Sequence, residues 1–178
     1  SHVNFKIGNP QEQEISGVRE DVEAGRLILD PFEPGNLCDE WLELGIVRWL
    51  QVRSVAPNGP KNIWSVQEPG VPVAGMPDLP PGADPVTGRG IQYPFTKPAP
   101  GEWHSPWEAY CLEPTKEVVR KALRYHHQDP NNRLKYITTE MINLPDYGHN
   151  AKYSLIGQNA AIAQFVRDTW AETDRLPR

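Results

Sequence analysis

Hydrophobic positions along this chain fall into two patterned blocks, separated by fifty residues in which no regular pattern persists. The first block opens with Val3-Asn4-Phe5-Lys6-Ile7, whose period of two predicts a short strand ended by Gly8. Asn9 and Pro10 suit a helix start, and Ile15, Val18 and Val22 then fall three and four apart on one face. Gly25 is placed to stop that helix, although Gly17 interrupts it. Leu27-Ile28-Leu29, bounded by Gly25 and Pro31, predicts a strand-like run, and 31–36 a turn. Asp39 is the expected cap of a short helix with Trp41, Leu42 and Gly45 inward. From Ile46 to Val55 the period shortens. Val47, Trp49 and Val55 alternate with Arg48 and Ser54, which predicts a strand, with one long helix from Asp39 to Val52 as the rival. Trp41 and Trp49 are expected in the core.

The second block holds the best-marked helix. Pro114 takes its first turn, Val118, Ala122 and Leu123 line an inner face flanked by Val119, and Asp129-Pro130 ends it. Residues 135–139 predict a strand, and Leu144-Pro145-Asp146-Tyr147-Gly148-His149-Asn150 a loop. A short strand is expected over 153–156. Asn159 would then cap a terminal helix with Ile162, Phe165, Val166 and Trp170 on one face and Gln164, Arg167, Asp168 and Glu172 on the other.

Between the blocks, residues 57–106 contain 12 prolines and 7 glycines, and successive prolines lie no more than nine positions apart. Proline fixes φ, lacks an N–H and pushes its predecessor out of the α region, so no helix of ordinary length fits there. Strands fit only in the windows 62–67 and 88–93. The expected conformation is extended; at ~3.1 Å per residue an open arm of this length spans at most about 150 Å. A disordered linker would be poor in aromatic and branched residues. This segment has Trp64, Tyr93, Phe95 and Trp103, with Trp107 just beyond it. Those five side chains are the candidate partner-binding residues, because aromatic groups on an extended segment need a surface, either their own domain's or a neighbour's. Trp103-His104-Ser105-Pro106-Trp107, broken by proline, cannot form a regular helix face.

Composition narrows the class. The net charge of −5 comes without a basic run, so a phosphate backbone and an anionic membrane surface are both poor partners. Hydrophobic residues make up 38%, a lean core that suits a chain completed by an assembly. Cys38 and Cys111 stand alone, too few for a disulfide framework or a thiolate zinc site, and fit a reducing compartment. No apolar run approaches the ~18 residues of a membrane span, and no signal peptide is expected from the first residues.

Candidate chemistry is sparse. His126 and His127 are neighbours on a helix, pointing about 100° apart, and cannot share an ion without distortion; a solvated helix end suits them better. Asp146, Tyr147 and His149 could form an acid/base group near Cys111 or Ser154, and are also ordinary turn residues. Gly88-Arg89-Gly90 is too short for a phosphate loop. No catalytic, cofactor or metal residue is therefore assigned.

The expectation is a small α+β protein, one domain over 1–178, with short strands and about three helices. Its 57–106 arm would be inserted between halves 1–56 and 107–178. Its expected role is structural and non-enzymatic: a subunit of a larger assembly, such as a virion or head accessory protein, whose arm contacts other proteins or copies of itself. Its expected place is the cytoplasm or the virion. Two other readings stay open: a small enzyme using the 146–149 loop with His104, His126 and His127, and an adaptor presenting polyproline segments.

Overall fold

The computed structural model describes residues 13, 17–54, 92–100, 106–141 and 154–177. Their elements are, in chain order, α1 (Arg19–Glu23), α2 (Leu37–Glu43), β1 (Trp49–Val52), a 3-10 turn (Ala109–Leu112), α3 (Glu113–Gln128), β2 (Tyr136–Thr139) and α4 (Leu155–Thr173). Four helices and one small parallel sheet are compatible with an α+β domain. The expected strand at 3–7, the 144–150 loop and most of the arm lie outside the described residues.

The core draws on both blocks. Cys38 and Leu42 of α2 and Leu50 and Val52 of β1 meet Val118, Val119, Ala122 and Leu123 of α3, with Ile162 of α4 fully enclosed. Parallel strands need a crossover, and α3 is the helix on the path from β1 to β2. The register pairs Trp49 with Tyr136 and Val52 with Thr139. Arg53 Nη2, just past β1, is 2.7 Å from the Glu140 carboxylate just past β2 and ties the strand ends together.

α3 follows its sequence pattern closely. Pro114 sits in the first turn, where its missing N–H has no intrahelical partner to lose. Asp129 terminates it: the carboxylate accepts from the N–H groups of Asn131 and Arg133 and from the Arg133 guanidinium. The hydrogen bonds from Arg133 hold that carboxyl well below the ordinary carboxylate range.

Several expectations shift by a few residues. α2 is capped by Asn36, not Asp39: the buried Asn36 side chain accepts from Asp39 N–H at 3.1 Å and donates to Glu33 O and the Asp39 carboxylate. Asp39 instead turns its carboxylate to Lys121 on α3, at 2.6 Å. Cys38 and Leu42 face inward, Trp41 only half so. Leu27-Ile28-Leu29 is irregular rather than a strand, and Leu37 N–H donates to Ile28 O at 2.9 Å. The expected 153–156 strand gives way to α4 from Leu155 on, capped by Ser154 Oγ accepting from Gly157 N–H, and Asn159 lies inside that helix.

β1 is four residues long, and its inward set is Leu50 and Val52 rather than Trp49. Trp49 is 59% exposed, its indole N–H donating to Thr138 Oγ1 at 2.8 Å. A strand's side-chain period is two, so reading the alternation one position out exchanges its faces. Trp49 biased the sequence reading because its size suggested core. The rival helix from Asp39 to Val52 ends at Glu43.

Gly45 ends α2 at φ +64°, where a Cβ would also drive into the Arg133 guanidinium. That guanidinium is held by Asp129 and Tyr125 and cannot swing aside without losing those bonds. Gly45→Ala is expected to lower the unfolding free energy by about 1–2 kcal/mol through left-handed strain alone, measured by urea denaturation.

Candidate interaction surface

Tyr93 N–H donates to Ser54 O at 2.8 Å, so the segment that leaves the core after Ser54 returns to the same place. Ser54 and Gln92 are fully buried, and Tyr93 is 1% exposed. The Tyr93 ring packs on Cys111 and Leu112 at the entrance to α3. Its hydroxyl accepts from Glu108 N–H at 2.9 Å, and burial raises its pKa.

Beyond Tyr93 the chain stays attached. Gln158 Oε1 of α4 accepts from Phe95 N–H at 2.6 Å and Thr96 N–H at 3.2 Å, while Gln158 Nε2 donates to Thr96 Oγ1 at 2.8 Å. The Phe95 ring lies 5.8 Å from that of Phe165, and Lys116 sits over both rings at 5.9 and 5.8 Å. Trp107 is half-buried, its indole N–H donating to Pro94 O at 2.8 Å. Three of the five candidate partner-binding residues are thus placed: Tyr93 inside its own chain, Phe95 and Trp107 with one face covered. Trp64 and Trp103 lie outside the described residues.

Joined roots bound the reach of the arm. Ser54 and Tyr93, which bracket the 37 residues from 55 to 91, are bonded to each other, and half of that length fully extended at ~3.1 Å per residue would span ~55–60 Å. The two residues that anchor the return, Ser54 and Gln158, were not singled out from the sequence. Each acts across some forty to sixty positions, and a local pattern carries no sign of that.

Among the described residues, three concavities border the core. An open groove of about 390 Å³ runs between α2 and β1, lined by Trp41, Leu42, Ile46, Trp49 and Val118. Cys38 lies on its floor, its thiol pushed up to about 11 by burial, which removes it as a nucleophile near neutral pH. A second groove of about 260 Å³ separates β2 from the later part of α4. A third, of about 490 Å³, lies at the end of α3 beside His126, His127 and Trp170.

The histidines differ from the solvated pair expected. The His127 side chain is 3% exposed, with Nε2 3.0 Å from Leu176 O and Nδ1 3.8 Å from the Asp174 carboxylate. A carbonyl only accepts, which puts a proton on Nε2. Both imidazoles pack on the Trp170 ring, at centroid distances of 5.6 and 6.2 Å. Among the described residues no three His, Cys, Asp or Glu side chains are arranged to hold a metal ion. His104, Asp146 and His149 lie outside them. Among the described residues no helix is long and apolar enough to cross a membrane.

The chain matches no protein-family model, curated protein or solved structure.

Proposed function

We propose that this protein is a structural subunit of a larger assembly and contacts its neighbours through the 57–106 arm. The supporting observation is the double root. A linker between two separately folded halves would leave one body and enter another, whereas here both ends enter a core that the two halves share. An excursion whose two ends enter one core suits an element offered to a partner better than it suits a spacer between bodies. Its aromatic and branched residues, Trp64, Ile63, Val71 and Val73 among them, gain by covering a partner. A virion or a head accessory position is one setting for such a subunit, the cytoplasm its place of synthesis. The reading assigns no catalysis and no cofactor, and takes other proteins or further copies of the chain as partners rather than nucleic acid or membrane.

Cross-linking mass spectrometry on the full chain, in the cells that make it, tests this. Lys61 and Lys97, both within the 57–106 arm and the second exposed, should form links to other chains. Links from these lysines confined to the same molecule would overturn the reading.

A further inference from the structure

Among the described residues β2 pairs with β1 alone, and the chemistry of its other edge is specific. Glu140 N–H donates to Val52 O at 2.9 Å, so residue 140 turns its main chain toward β1. Strand backbones alternate, and Ile137, Thr139 and Met141 therefore turn theirs outward. At Met141 those outward groups are engaged by a side-chain amide: Asn159 Oδ1 accepts from Met141 N–H at 3.0 Å and Asn159 Nδ2 donates to Met141 O at 3.4 Å. An amide bonding both groups of one residue does what one residue of an added strand would do. Further toward the start of β2, the edge opens on the groove of about 260 Å³. Its floor is apolar, with Leu123, Ile137, Val166 and Trp170. Its two lips carry Lys135 and Arg167, both exposed and neither in an ion pair among the described residues.

We infer that the outer edge of β2 is a strand-addition site for an extended segment of a partner protein that alternates acidic and apolar residues. This inference rests on the proposed role as an assembly subunit and names the chemistry of one of its contacts. Main-chain hydrogen bonds to Ile137 and Thr139 would hold the added strand. Its apolar side chains would enter the groove on one face, and its carboxylates would meet Lys135 and Arg167 at the rim. A second copy pairing β2 with β2 across a two-fold axis is the poorer occupant, because it sets residues 137–141 opposite, whose one carboxylate, Glu140, is already held by Arg53.

The test uses the full-length protein and a capped heptapeptide alternating valine and glutamate, with its valine–lysine counterpart as control. Amide hydrogen exchange should slow at least tenfold at Ile137 and Thr139 with the acidic peptide at saturation and not with the basic one. Raising salt from 50 to 500 mM should weaken binding. Lys135→Glu with Arg167→Glu, both on exposed positions, should reverse the preference between the peptides while circular dichroism stays unchanged. Three results overturn the inference: no protection at Ile137 at millimolar peptide, equal protection by both peptides, or an unchanged preference in the reversed variant. The peptide measurement does not involve the arm, so its failure is distinct from a failure of the cross-linking result.

Discussion

Replacing Tyr93 by alanine is expected to lower the unfolding free energy of the isolated protein by about 3–5 kcal/mol, the range for truncating a buried aromatic side chain. Tyr93 is 1% exposed against Cys111 and Leu112, and its hydroxyl accepts from Glu108 N–H. Truncation leaves a cavity and an N–H without its acceptor. Tyr93→Phe separates the two effects: keeping the ring and losing the hydroxyl should cost about 1 kcal/mol. Chemical denaturation of dilute protein reads both. A tyrosine reserved for a partner would give losses near zero for each, and the account of the arm's root would then be wrong.

Ile162→Ala should produce a comparable loss, about 2–5 kcal/mol. Ile162 is fully enclosed on α4, the helix packed on α3 and β2, within the core cluster that draws on both sequence blocks. Its neighbour Phe165 is only half-buried, one ring face lying under Lys116 and Arg120. Phe165→Ala is therefore expected to cost less than Ile162→Ala, the reverse of the order that side-chain size suggests. Thermal or urea unfolding of the two variants side by side checks the ranking.

How far the sequence was legible depended on the range of the interaction concerned. α3 was readable from Pro114, the spacing of Val118, Ala122 and Leu123, and the Asp129-Pro130 stop, because all of these act within one or two helical turns. β2 was readable to within a residue. Caps were displaced where a second residue could serve: Asp39 and Asn159 have the chemistry of caps, but each is used across the fold, Asp39 by Lys121 and Asn159 by Met141. β1 was found but read in the wrong phase, since alternation alone does not say which face is buried. Proline spacing predicts an arm, most of which lies outside the described residues. The pairing of Ser54 with Tyr93 was not legible, because it rests on a main-chain bond between them and on Gln158 of α4 accepting from Phe95 and Thr96, contacts between positions far apart in sequence.

The central claim is that the arm's roots belong to the core while its outer part serves a partner, and removing Gly70–Gly90 tests it most directly. The deletion shortens the 37-residue excursion by 21 residues and leaves Ser54, Gln92 and Tyr93 in place. Loop closure changes by about 0.6 kcal/mol per halving of length, so the unfolding free energy of the isolated protein should stay within about 1 kcal/mol of its original value. Cross-links from Lys61 and Lys97 to other chains should disappear in the same variant. A protein destabilised by several kcal/mol that still forms those intermolecular links would contradict the account, since the outer arm would then be part of the chain's own fold.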